Sequence, residues 1–353
     1  MPPPVHGSSI VGKIIAESDF INNKFKTTFI NLLLSKKVAE SGGFSIMKFI
    51  FFLRQLYQIL LSINKEKPDL CYFALSTTGL AFYKDCLLVT IIKMNKIKIL
   101  YHLHNKGVSN YSRKIMHKYL YKLVFSGSKV ILLSKSIYSD IKKYVLLENV
   151  YICPNGIPEH DLYNLKRDHN VVNLLFISNL IESKGIFDLL DACKILASKN
   201  LSFNCTIIGD EGDVTKKDLL YKIEKLNLSP YINYLGPQYG KNKDNILLES
   251  DLFVLPTYYS AETFSLVLIE AMQFSLPLIS TFEGGISDLV EDGVTGYLIK
   301  QRDVNSLALK LEELILDKDL RIKLGLAGRK RYEQYFTQEI FEKNLTKILS
   351  NEL

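Results

Sequence analysis

A chain of 353 residues with 47% hydrophobic and 23% charged residues has room for two domains of ordinary size and the composition of a soluble globular protein. It shows no apolar run of the roughly 18–20 residues a membrane span needs, no signal-peptide pattern, and only five scattered cysteines without CxxC or metal-ligand spacing, which sets aside spanning, disulfide-framework and zinc-ribbon classes and fits a reducing cytoplasm. The net charge of +7 is uneven: 22 Lys+Arg stand against 10 Asp+Glu up to Asp161, then 22 against 27.

In the basic first half, Ser9–Glu17 is predicted as a helix, Lys26–Leu33 as a strand, and Ser45–Asn64 as a long apolar helix, buried by default. Strands follow at Asp69–Leu75 and Ile97–His102, the second ending in His102-Leu103-His104-Asn105. A histidine at the carboxyl end of a strand is a fair site candidate. His104 is taken as that candidate, and His102 is expected to point the other way and to be structural. Tyr111–Phe125 reads as one basic helix on which Lys114, Lys118 and Lys122 form a stripe suited to a membrane interface, a solvated face being the equal alternative. Lys129–Leu133, Ser136–Tyr144 and Val150–Cys153 read as strand, helix and strand, and the polar segment Glu159–Asn170 as a linker. The basic surplus calls for an anionic partner. No RNP, helix-turn-helix or zinc-finger signature supports nucleic acid, so an anionic membrane surface or a phosphate-bearing acceptor is the more economical reading, with solvated lysine faces as its rival.

The second half alternates strands and helices as a doubly wound α/β domain does. Strands are predicted at Val172–Ile177, Phe203–Ile208, Ile232–Leu235, Leu252–Leu255, Pro277–Ser280 and Gly296–Ile299. Helices are predicted at Gly185–Ser198, Lys217–Leu226, Asn242–Glu249, Phe264–Gln273, Asp303–Asp317, Lys318–Gln334 and Thr337–Asn351. Ile208-Gly209-Asp210-Glu211-Gly212 is not a GxGxxG dinucleotide fingerprint. Between Asp251 and Val294 two glutamates, Glu262 and Glu270, straddle a loop-to-helix junction at the carboxyl end of a strand, the edge where open parallel sheets bind ligands. The amides of Phe264, Ser265 and Leu266 are expected to open that helix and offer a phosphate site. Two carboxylates beside a diphosphate suit a ligand with hydroxylated sugars at both ends. Taken alone, an N-terminal glutamate and an ordinary helix glutamate explain the pair as well.

The order Glu262, Glu270-Ala271-Met272, Pro277, Gly284-Gly285 and Asp292-Gly293-Val294-Thr295-Gly296 resembles the signature of the family-4 retaining glycosyltransferases, which have the GT-B fold. Pro154-Asn155-Gly156-Ile157 matches that family's turn at the domain boundary, and the resemblance runs from Pro2 to about Phe336. It implies two Rossmann-like α/β domains facing across a cleft, covering 1–160 and 170–335, with 336–353 a helix crossing back to the first. The strand that normally precedes the Gly7 loop is expected to be missing, or to lie upstream of Met1. Thr263, Ser275 and Asn179 stand where the family usually has glycine, glycine and arginine.

The resemblance further implies a nucleotide-sugar donor and a glycan or polyprenyl-diphosphate-linked acceptor in surface polysaccharide synthesis, at the inner face of a membrane. Lys184 and the amides of Phe264 to Leu266 would hold the diphosphate, Glu262 the donor sugar and Glu270 the ribose. His104 would lie near the reacting sugar, and Gly7, Asn179, Gly209 and Leu235 would complete the donor pocket. No metal or other cofactor is expected, since Asp317-Lys318-Asp319 falls between helices rather than in a metal-binding turn. The rivals are another GT-B-like enzyme, such as a nucleotide-sugar epimerase or sugar phosphorylase, and a scaffold weakened in catalysis.

Overall fold

Apolar runs in each half of the sequence pair with runs of the same half, so two separate parallel sheets form. The structure, a computed structural model, describes residues 7–32, 46–160 and 170–353. The chain divides into two compact units, Met1–Gly156 with Gln338–Leu353, and Ile157–Thr337.

The first unit begins with helices α1 (Gly7–Glu17), α2 (Asp19–Asn22) and α3 (Ile46–Glu66). Strand β1 (Leu70–Leu75), α4 (Gly79–Met94), β2 (Lys98–Leu103), α5 (Val108–Tyr111) and α6 (Ile115–Phe125) follow. β3 (Lys129–Leu132), α7 (Tyr138–Ile141) and β4 (Val150–Ile152) complete this part. The sheet order is β1-β2-β3-β4, all parallel. Its core includes Phe73, Phe82, Tyr101, Tyr121, Val124 and Phe125. Burying an aromatic or aliphatic side chain of this size is worth about 1.5–3 kcal/mol, which selects this face of each strand and helix.

Some expectations for this unit fail. No strand forms over residues 26–32, and none precedes β1 among the described residues. The segment gives its carbonyls to side chains instead: Gln55 Nε2 donates to Asn31 O at 3.0 Å and Lys84 Nζ to Leu32 O at 3.0 Å, while Ile30 and Leu32 pack against the core. The predicted single helix Tyr111–Phe125 is broken at Ser112–Lys114, where Lys114 has extended backbone (φ −83°, ψ 129°) and serves as the N-cap of α6. The Asp140 carboxylate fixes α5 on its own, accepting from the amides of Gly107, Val108 and Ser109 at 2.8–3.0 Å.

The second unit contains β5 (Val172–Ile177), α8 (Ile186–Ser198), β6 (Phe203–Ile208), α9 (Lys216–Lys225), β7 (Ile232–Tyr234) and α10 (Gly240–Glu249). It continues with β8 (Leu252–Leu255), α11 (Leu266–Gln273), β9 (Leu278–Thr281), α12 (Ile286–Leu289), β10 (Gly296–Ile299), α13 (Val304–Leu316) and α14 (Lys318–Tyr335). The six strands run parallel in the order β10-β9-β8-β5-β6-β7. All four residues of β8 and of β9 are buried, as expected for central parallel strands covered on both faces. The chain builds β5, β6 and β7 outward to one side, then returns to build β8, β9 and β10 to the other. The order reverses between β5 and β8, so the loops after these two strands leave the sheet in opposite directions and open a crevice at its carboxyl edge.

The last helix, α15 (Gln338–Glu352), belongs to the first unit and packs on α2. Its buried face carries Phe341, Leu345 and Ile348. Near its end Glu352 Oε1 accepts from Lys129 Nζ at 2.8 Å and from the Tyr151 hydroxyl at 2.5 Å, and Lys98 Nζ donates to Glu352 O at 3.2 Å. Among the described residues, no helix is long and apolar enough to cross a membrane.

Candidate active site

The loops that diverge after β5 and β8 carry the residues singled out by sequence. Lys184 ends a short turn after β5, and Glu262 lies in the loop after β8. The two loops are joined by backbone: Tyr258 N donates to Ser183 O at 2.7 Å, and Thr257 Oγ1 to the same carbonyl at 3.3 Å. Lys184 Nζ then reaches Glu262 Oε2 at 2.5 Å, with the two side chains only 16% and 9% exposed. The ammonium also lies over the Tyr259 ring, 4.8 Å from its centre. Gly185 permits the approach: its φ is +83°, and a Cβ there would lie 2.3 Å from Pro256 O. Gly284 presses on the other side, with φ +57° and a Cβ position 2.1 Å from Glu262 O, while Gly285 N donates to Thr263 O at 2.8 Å.

Helix α11 starts at Leu266, two residues later than predicted, so Phe264 and Ser265 belong to the loop. Ser265 is the N-cap but makes no side-chain capping bond. Leu268 N is taken by Ser265 O at 3.2 Å, which leaves Leu266 and Val267 as the first-turn N–H groups without an intrahelical partner. The later start reflects Phe264, which is buried and packs edge-on against Phe336 with ring centres 5.9 Å apart. Four residues into α11, Glu270 is the helix's only charged residue, and its Oε1 accepts from Lys243 Nζ at 2.7 Å.

The remaining candidates of this unit stand at the same edge. Asn179 is exposed just after β5, its carbonyl accepting from Ile181 N at 2.7 Å. Gly209 follows β6 and donates to Gly236 O at 3.2 Å. Leu235 extends β7 by one ladder bond, to Ile207 O at 3.0 Å. The metal-like Asp317-Lys318-Asp319 is a helix start: Asp317 caps α14 by accepting from Leu320 N at 2.9 Å. Among the described residues, no three His, Cys, Asp or Glu side chains are grouped to hold a metal ion.

Gly7, His104, Lys114, Lys118 and Lys122 lie in the first unit. Gly7 is the first residue of α1 rather than part of a loop. His104 follows the end of β2, as predicted. The expected divergence of His102 from it is wrong, because residues two apart on a strand share a face. Their rings are 4.2 Å apart. His102 is fully buried, with its Nδ1 2.5 Å from the Tyr72 hydroxyl. Burial first, and then His104, hold its pKa well below the ordinary imidazole range. The folded protein therefore takes up this proton less readily than the unfolded chain. The stability this contributes is complete above the unfolded pKa of about 6.5 and is lost as the pH falls below it. The melting temperature of the wild type should drop between about pH 7 and pH 5 more than that of His102→Asn. Parallel curves for the two proteins would show that His102 plays no part in acid lability.

Residues 161–331 match the family model of group 1 glycosyl transferases. An uncharacterized glycosyltransferase of Methanocaldococcus jannaschii is 31% identical over 262 residues, covering 73% of this chain and 70% of that protein. The chain belongs to the group 1 glycosyl transferases. The capsular polysaccharide biosynthesis glycosyltransferase CapM of Staphylococcus aureus is 26% identical over 83% of this chain and 79% of its own length. The amylovoran biosynthesis glycosyltransferase AmsK of Erwinia amylovora is 29% identical over 73% and 66%. A crystal structure of Anabaena HepE in complex with UDP shares the fold at a TM-score of 0.71 and 19% identity, covering 84% of this chain and 82% of that one. The expected fold class, α/β with parallel sheets of the GT-B type, is thereby borne out.

Two residues of this glycosyltransferase escaped the sequence reading. Tyr259 precedes Glu262 by three residues, and an aromatic in an otherwise polar site loop was its one available signal. Lys243 lies on α10, and no spacing rule links it to Glu270, 27 residues further along.

Proposed function

We propose that this group 1 glycosyltransferase is a retaining enzyme that transfers a sugar from a nucleotide-sugar, UDP- or GDP-linked, to a glycan or polyprenyl-diphosphate-linked acceptor in surface polysaccharide synthesis. The observation that carries the reading is the Lys184–Glu262 pair at the sheet's switch point, beside the uncapped start of α11. A cation and helix N–H groups at one end of a crevice suit a diphosphate, and carboxylates beside them suit sugar hydroxyls. In this reading Lys184, with the amides of Leu266 and Val267, takes the charge of the departing diphosphate. Glu262 holds the donor sugar and Glu270 the ribose. Asn179, Gly209 and Leu235 border the nucleotide. The acceptor hydroxyl attacks on the face the diphosphate leaves, and stabilisation of the leaving charge is the main catalytic contribution. The names of CapM and AmsK, a capsular and an amylovoran transferase, support the polysaccharide setting. A thermal-shift screen with UDP-, GDP-, ADP- and CMP-sugars, followed by product analysis of the anomeric configuration, tests it. No stabilisation by any of the four, or an inverted product, overturns it.

Membrane docking forms part of this proposal, favoured by the outer surface of the first unit. Crossovers β1-α4-β2 and β2-α6-β3 advance in one direction, so right-handed connections put α4 and α6 on the same face of the sheet. There Lys114, Lys118 and Lys122 are exposed together with Ile115 (75%), Tyr119 (67%) and Met94 (77%). Lysines beside apolar side chains suit the headgroup boundary of an anionic bilayer. Co-sedimentation with anionic vesicles should fall as salt rises and should be lost when the three lysines become glutamates. Equal binding to neutral and anionic vesicles would leave the stripe a solvated face.

A further inference from the structure

Both glutamates of the candidate donor site are engaged by a lysine, Glu262 by Lys184 and Glu270 by Lys243. The second pair is the less expected. Lys243 lies in the first turn of α10, where the helix dipole disfavours a cation. α10 follows β7 through the short loop Leu235–Tyr239, so this first turn lies on the carboxyl side of the sheet, the side on which the crevice opens. Glu270 sits in a helix that is otherwise apolar but for Gln273, and its second oxygen, Oε2, is buried with no partner among the described residues. A carboxylate in such surroundings is costly unless a cation or hydrogen-bond donors satisfy it.

The charges of the site define what Lys243 is for. Glu262, Glu270 and a bound diphosphate together bring about four negative charges, against Lys184 and roughly half a charge from the start of α11. Asn179, the side chain after β5, is neutral. Lys243 is a cation at this edge that can offset part of the remainder, with its ammonium 2.7 Å from Glu270. We propose that Lys243 is the second diphosphate-binding cation of the site. It exchanges Glu270 for the phosphate when donor enters, as Lys184 exchanges Glu262, and each exchange frees a carboxylate oxygen for a sugar hydroxyl. The inference rests on the donor-site reading above.

Calorimetry with the wild-type protein first identifies which of UDP, GDP, ADP and CDP binds. Lys243→Gln should weaken that nucleoside diphosphate about 10- to 100-fold, the value of one charged hydrogen bond. It should leave the affinity of the matching nucleoside, which has no phosphate, unchanged, and it should flatten the salt dependence of diphosphate binding. Lys243→Arg should bind the diphosphate within a few-fold of wild type. A Lys243→Gln protein that loses nucleoside and diphosphate affinity equally, with wild-type salt dependence, overturns the proposal and makes Lys243 a support for Glu270. The folded state of each variant is checked by its melting temperature. If the wild type binds none of the four diphosphates, the donor-site reading itself falls, and the proposal with it.

Discussion

Lys184→Met should lower kcat for glycosyl transfer about 100- to 1,000-fold while changing the KM for the donor far less. The ammonium is preorganised: Gly185 turns the chain back onto Pro256, Ser183 O is held by the loop after β8, and the Tyr259 ring lies against the charge. On the proposed donor-site reading, a cation fixed in this way needs no reorganisation as negative charge grows on the departing diphosphate, so its loss is felt in the transition state more than in the ground state. Methionine keeps most of the stem's volume but leaves the Glu262 carboxylate largely buried without its lysine. A lower melting temperature is therefore expected as well, and Lys184→Met combined with Glu262→Gln should recover part of the stability but none of the rate. Steady-state kinetics on the three proteins decides the matter. An unchanged kcat with all of the loss in KM would place Lys184 in uniform donor binding rather than in leaving-group stabilisation.

Gly284→Ala is expected to disable the site without touching any charged group. The glycine sits at φ +57°, where an L-residue is disfavoured by roughly 1–2 kcal/mol, and the added methyl would lie 2.1 Å from the Glu262 carbonyl oxygen. The loop after β8 has to move, with overpacking adding about 1–3 kcal/mol. Glu262 N is tied to Tyr259 O at 2.8 Å and Thr263 O to Gly285 N at 2.8 Å, so the displacement carries Glu262 and Tyr259 away from Lys184 together. Gly293→Ala is the control: that glycine also has positive φ, +73°, but nothing lies within 4 Å of its Cβ position. It should lose stability and keep most of its activity. Comparable activity loss in the two variants would mean that backbone strain alone, and not contact with Glu262, accounts for the effect.

The candidate site of the second unit was legible because it is local. The run into Pro256, the loop with Glu262 and the helix with Glu270 are contiguous, and the apolar pattern of a central parallel strand marks where the carboxyl edge lies. Contacts made at long range were not legible. Lys26–Leu33 has strand-like residues, but a strand needs a neighbour, and the side chains of Gln55 and Lys84 took its carbonyls first. Nothing in Tyr111–Phe125 announces a break, because α5 is held from outside that segment, by Asp140 about 30 residues downstream accepting from the amides of Gly107, Val108 and Ser109. The start of α11 moved by two residues because Phe264 found Phe336, 72 positions away in the sequence.

The attachment of α15 bears on how the protein is made. The first unit is not continuous in sequence, since Gln338–Leu353 belongs to it, whereas Ile157–Thr337 forms the second unit without interruption. During synthesis a unit made first ordinarily folds first. Here the sheet β1–β4 emerges early, but Lys98, Lys129 and Tyr151 wait for Glu352, and α2 waits for the helix that covers it. The second unit has its whole sequence some fifteen residues sooner by the same count. The part born first is thus finished last, because the partners of Glu352 in the first unit are met only after the sequence of the second unit is complete.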